Sequence, residues 1–440
     1  MKFGKCGRSL LFPLFSTLAC AQLPVDPQLA AEIAKIKAID NHAHPVRPVF
    51  DADDKDTEYD ALPVEVMDPY TEPIRTREGS PLVVEAWRQL FGYRYHDQLP
   101  EHVRELKQHK AQLLQEKRDG YANWVLDQLG IETMFANRVA MGPGLAPPRF
   151  LWVPFEDALM YPLNNSSLAA KNSDYKTFYA DEERLLKRYL KECGYTTPPV
   201  TLDEYLTKVV TATLERHKRG GAIAVKFEAA YLRSLEFENV SKAEAARLYY
   251  GSRNAPLPDA SYKKVQDYIF RYMAAESGRL GLAVHLHAAA GAGGYFHVGG
   301  ANPILLESVL NDPKLRQTNF VMLHGGWPFT REVAALISKP NAYADFSEQT
   351  FMNYPRSVAQ AIRDWLEWAP EKVLFATDAY PFSEEMYWEE AGWVAATTGR
   401  EALGLALTEM MHDGEITRDR AIEIARMILR DNARKLYKLP

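Results

Sequence analysis

The sequence predicts an α/β fold, a (β/α)8 TIM barrel with helical insertions capping its C-terminal mouth. Three observations carry this reading. Short apolar runs rich in strand-forming residues alternate with longer amphipathic stretches, the pattern of parallel strands joined by helical crossovers. Eight such runs occur along the chain. Histidine and aspartate gather at the ends of several of them, where barrel active sites lie. With 440 residues, 47% of them hydrophobic, the chain can bury a large core. Barrels of about 250 residues or more run as single domains.

The chain opens with a targeting signal over residues 1–21. Lys2, Lys5 and Arg8 form a positive start, Leu10 to Leu18 is an apolar run too short to span a bilayer, and Ala19-Cys20-Ala21 supplies a cleavage pattern. An exported protein, periplasmic or secreted, is expected, with a lipoprotein acylated on Cys20 as the alternative. Cleavage removes three positive charges and no acids, taking the net charge from −6 to −9. That balance argues against nucleic acid as a partner, since a phosphate-tracking surface needs a basic excess. Of the three cysteines only Cys193 then remains, so no intrachain disulfide can form. No transmembrane span is expected in the mature chain, and homo-oligomer formation is left open.

Residues 22–440 read as the barrel. The candidate strands are Ile36–His42, Ile131–Arg138, Phe150–Phe155, Ala222–Phe227, Gly281–His287, Asn319–His324, Ala342–Phe346 and Lys372–Thr377. Pro154 weakens the third. Two intervals, about 50–120 and 158–220, are polar and largely helical. Each follows a strand end, so each is placed as a cap over the mouth. In the last helix, Thr417–Tyr437, the residues Ile422, Ala425, Leu429 and Leu436 recur at helical spacing, which packs it against the barrel.

The chemistry starts at Asp40-Asn41-His42-Ala43-His44-Pro45. In a strand, residues i and i+2 face one way, and Pro45 ends the ladder. His42 and His44 therefore converge at a strand exit, as a pair of neutral imidazoles that suits zinc and similar metals. His285 and His287 end the fifth strand, His324 the sixth and Asp378 the eighth. Five of the 11 histidines thus sit at three strand ends, which packing needs alone do not explain. Lys226 ends the fourth strand, with Tyr231 and Arg233 in the loop after it. Trp327, Tyr295, His297 and Trp152 are candidate pocket walls.

This order of residues resembles the amidohydrolase superfamily. Within it the chain resembles the decarboxylase-like branch, which holds both hydrolases and carbon–carbon lyases, and in particular the amidohydrolase domain fused to glutamine synthetase in nodulin-like proteins. The matching stretches include Phe150-Leu151-Trp152-Val153-Pro154-Phe155, Val225-Lys226-Phe227, Ala301-Asn302-Pro303, His324-Gly325-Gly326-Trp327-Pro328-Phe329 and Arg430-Asp431-Asn432-Ala433-Arg434. The resemblance implies a divalent metal, zinc above others, on His42, His44, one strand-five histidine and Asp378. His287 is preferred to His285 because a small-residue turn follows it. One ion is expected, with two as the alternative should Lys226 be a carboxylated bridge. Otherwise Lys226 stays cationic.

On this reading the protein is a metal-dependent hydrolase of an amide, ester or lactone bond in a small, carboxylate-bearing substrate. Metal-activated water attacks, Asp378 moves the proton and His324 steadies the oxyanion. Lys226, Tyr231, Arg233 and Trp327 hold the substrate, the two cations by its anionic end. The alternative is a metal-dependent carbon–carbon lyase, a decarboxylase or hydratase of an unsaturated acid.

Overall fold

The computed structural model describes residues 23–51, 54–62, 67–77 and 79–440. The expected signal segment, with Cys6 and Cys20, lies outside them. All eight strands form, in the order read from the sequence: β1 Ala38–Ala43, β2 Ile131–Asn137, β3 Phe150–Val153, β4 Ala224–Phe227, β5 Ala283–His287, β6 Phe320–Leu323, β7 Ala342–Asp345 and β8 Val373–Leu374. Every pairing is parallel, β1 to β3 in one run and β4 to β8 in another.

Two seams close these runs into a (β/α)8 barrel. Between β3 and β4, Ile223 N–H donates to Trp152 O and Lys226 N–H to Pro154 O, with a bridge at Phe155 and Lys226. The third strand stops at Val153 because Pro154 has no N–H to give. Between β8 and β1, Asn41 N–H donates to Phe375 O and Asp378 N–H to His42 O at 2.8 Å. Single bonds replace a ladder there, so β8 is shorter than the expected Lys372–Thr377.

Ile39, Phe135, Val153, Ala224, Ala283, Val321 and Leu374 point inward and fill the barrel, with Tyr343 of β7 packed beside them. Burying such apolar surface stabilises the fold by roughly 25 cal/mol per Å2. The chain's end plugs the opposite mouth. Leu436, Tyr437 and Leu439 pack on that core, and the Tyr437 hydroxyl meets both Asn41 Oδ1 and His285 Nε2.

Between β1 and β2 the described residues form three α-helices, the last of them Tyr121–Leu129. Pro81–Phe91 starts on the Ser80 side-chain cap with Pro81 in its first turn and ends at Gly92 in the left-handed region, the ordinary start and stop signals. Pro100–Lys117 follows. Between β3 and β4 the helix Ser173–Glu192 starts on the Asn172 cap. Among the described residues no helix is long and apolar enough to cross a membrane.

Candidate active site

The strand exits meet in one pocket. It is lined by His42 and His44 from β1, Lys226 and Glu228 from β4, His287 from β5, His324 after β6, Glu348 after β7 and Asp378 after β8. Tyr231 and Asp60 complete the polar wall, and Phe351, Tyr380 and Phe382 the apolar one.

His42, His44 and Asp378 converge. Asp378 Oδ1 lies 3.1 Å from His42 Nε2 and 3.5 Å from His44 Nε2. The three offer atoms within 4.8 Å of one another, close enough to hold one metal ion. Burial, then the Lys226 charge, holds His42 well below the usual imidazole pKa, so it presents the neutral ring that a metal requires. His44 Nδ1 faces Asp60 Oδ2 at 3.3 Å, the carboxylate-behind-histidine arrangement that orients metal ligands. Beneath them Asp40 accepts from the N–H groups of His42 and Thr377, tying β1 to the approach of Asp378. Burial pushes its carboxyl up to about 7.

His287, the fourth expected ligand, stands in a neighbouring group with His324 and Glu348. A hydrogen-bond chain fixes its tautomer. Ser347 Oγ donates to Asp345, so it accepts from His324 Nδ1, and His324 Nε2 accepts from His287 Nδ1 at 3.0 Å. This leaves His287 Nε2 as a buried lone pair without a partner, the state of a nitrogen ready to ligate. Both rings are held neutral, chiefly by burial. His324 therefore orients His287. Both its nitrogens are engaged in this chain, and its ring also lines the cavity. His285 bonds Tyr437 at 2.7 Å and does not line the cavity.

Lys226 is fully buried, its Nζ 3.3 Å from His42 Nε2 and 3.4 Å from Glu228 Oε1. The expectation that Lys226 and Arg233 together grip a substrate carboxylate is not met. Glu228 already faces the lysine, and Arg233 turns away to Asp267, Gln266 and the carbonyl of Ser234. Trp327 is also absent from the wall. It follows the Gly325–Gly326 turn, and its carbonyl takes the Ala290 N–H. A Cβ on Gly325 would fall 2.1 Å from Trp365, so only glycine makes that turn. Tyr295, His297 and Trp152 lie outside the cavity as well. Tyr231 does line it, its ring centroid 4.6 Å from that of His287.

The sequence reading missed Asp60, Glu228 and Glu348. Two of them left a signal. Glu228 follows Lys226 by the strand period of two, and Glu348 sits at the exit of β7, the one late strand left without a functional residue. Asp60 had none, because it arrives from the β1 cap loop.

The comparisons with known proteins bear on the family and the fold. A family model described as Amidohydrolase matches residues 194–439. Protein fluG of Emericella nidulans is 32% identical over 142 residues, 32% of this chain and 15% of that protein, so the chain spans a small part of that relative's length. Among solved structures, a protein of Lactobacillus casei assigned as a metal-dependent hydrolase superposes with a TM-score of 0.64 at 17% identity, covering 93% of this chain and 97% of that one. Glucuronate isomerase from Caulobacter crescentus gives 0.64 at 15%, covering 95% and 96%. At such identities the likeness speaks for the fold.

Proposed function

The chain belongs to the amidohydrolase family, and from that premise we propose that it is a metal-dependent hydrolase cleaving an amide, ester or lactone bond of a small polar substrate. The observation that carries the reading is the convergence of His42, His44 and Asp378 at the mouth, beside the free lone pair of His287. Imidazoles with one carboxylate are the donor set of a catalytic zinc that keeps an open position. When bound, such an ion supplies Lewis-acid polarisation and acidifies water.

The protein's own groups supply the rest. Burial raises the proton affinity of Asp378, which suits a carboxylate that takes a proton from water and passes it to a leaving amine or alkoxide. The Asp345–Ser347–His324 chain orients His287, and Asp60 Oδ2 stands 3.3 Å from His44 Nδ1. Phe351, Tyr380 and Phe382 narrow access for bulk water.

The test is elemental analysis of the purified protein together with a panel of N-acyl amino acids, small amides, esters and lactones. The expected result is one divalent ion per chain and release of acid with amine or alcohol. Carbon dioxide release or sugar-acid isomerisation, with no hydrolysis, would replace the reading.

A further inference from the structure

The pocket at the strand exits opens sideways. Ala292, Glu348, Phe351 and Phe382 belong to its wall and also to the wall of a second cleft. Glu72, Thr76, Ser383 and Met386 join that cleft in turn to a third, larger one against the helices Pro81–Phe91 and Pro100–Lys117. A passage therefore runs from the His42, His44 and Asp378 group outward beneath the β1 cap.

A row of rings leads into this passage. From centroid to centroid, Tyr380 lies 5.4 Å from His44, Phe382 5.2 Å from Tyr380 and Phe351 4.9 Å from Phe382. Met352, at the end of the short helix Gln349–Met352, and the buried Met386 continue the apolar wall. The polar side chains of the second cleft are engaged in their own loops. Thr76 Oγ1 donates to Pro73 O at 3.0 Å, and Ser383 Oγ accepts the N–H groups of Glu385 and Met386. Glu348 Oε1 accepts the Gly291 N–H, and its Oε2 is buried. An apolar neck between a reaction pocket and a larger cleft is favourably covered by an apolar part of the ligand, in proportion to the area removed from water. Methionines are unbranched and adaptable, and they follow a flexible chain where a rigid wall would fit one ring.

We propose that the neck is a substrate subsite for an unbranched alkyl chain attached beside the scissile bond. The chain lies along Phe382 and Phe351, passes Met352 and Met386, and points its far end into the larger cleft. The position of the scissile bond rests on the hydrolase reading, whereas affinity for an alkyl chain stands on the geometry of the passage alone. A single aromatic ring held against Phe351 and Phe382 is the competing occupant.

The experiment uses the zinc-loaded protein and two readouts. In calorimetric titration, straight-chain primary alcohols from butanol to octanol should bind about fourfold more tightly for each added methylene. In kinetics, kcat/KM should rise by a similar factor along straight-chain acyl amides or along N-alkyl acetamides. Met352→Gln, close in shape but polar, should lower the ratio of octyl to ethyl substrates on the order of tenfold. Thr76→Trp, which fills the joint to the larger cleft, should end the gain at a shorter chain length. Alcohols that tighten with length, with no hydrolysis of any substrate, would refute the hydrolase reading and leave the alkyl subsite standing. Hydrolysis independent of chain length in both series, a benzyl group preferred to hexyl, or an unchanged length dependence in both variants would overturn the subsite and leave the hydrolase reading intact.

Discussion

Three non-glycine residues of the cavity wall, His324, Glu348 and Asp378, have φ of 62°, 56° and 56°. Left-handed backbone costs such residues about 1–3 kcal/mol each, and all three stand where a barrel strand ends. The same turn that strains Asp378 carries its oxygen to His42 and His44, so geometry rather than stability accounts for the conformation. We predict that His42→Ala and Asp378→Asn each lose the bound ion and nearly all activity, because each removes a donor from a set of few. Elemental analysis of the two variants checks this, and full occupancy in both would refute the assignment. Of these residues the His-x-His pair and Asp378 were legible in the sequence, since strand period and strand end place them. The tautomer chain through Ser347, and with it the role of His324, was not, because it depends on distances between three different loops.

A buried ion pair anchors the start of the β1 cap. Arg138, at the exit of β2, makes two hydrogen bonds to Asp56 at 2.8 and 2.7 Å and a third to Pro45 O at 2.6 Å, and both charged groups are almost wholly buried. It thus pins the segment that carries Asp60 onto the barrel. Removing one partner of a buried pair costs about 3–5 kcal/mol, so Arg138→Ala should destabilise the protein by that order and expose residues 45–60 to protease. Arg138→Lys should restore little of it, since a single ammonium cannot make the forked contact. Denaturant unfolding and limited proteolysis measure the two effects, and wild-type behaviour in Arg138→Ala would show that the anchor is elsewhere.

An ion that binds the native barrel and not the unfolded chain stabilises the whole molecule. At a free concentration a thousandfold above Kd the gain is about 4 kcal/mol, which for a chain of this length raises Tm by about 5 °C. Chelation should therefore lower Tm by that order and re-addition of zinc should restore it. No shift in a scanning calorimeter would argue against a resident ion. For the exported form we propose cleavage after Ala21, so N-terminal sequencing of the mature protein should begin at Gln22. An intact Met1 or an acylated Cys20 would count against it.

The sequence by itself determined the eight strands and their order, because periodicity and apolar content are local properties of each segment. It also placed the histidines and Asp378 at strand exits, because barrel topology sends every such exit to the same mouth. Only the tertiary structure decided the charge of the site. Lys226 looks free to hold an anion along the chain, yet Glu228 faces it, and Arg233 looks like its partner until the helix Asp259–Leu280 claims it through Gln266 and Asp267. Asp60 and Glu348 reach the cavity from a cap loop and from a left-handed turn. Electrostatic balance is a sum over all groups within a few ångströms, and residues far apart in sequence supply most of it here.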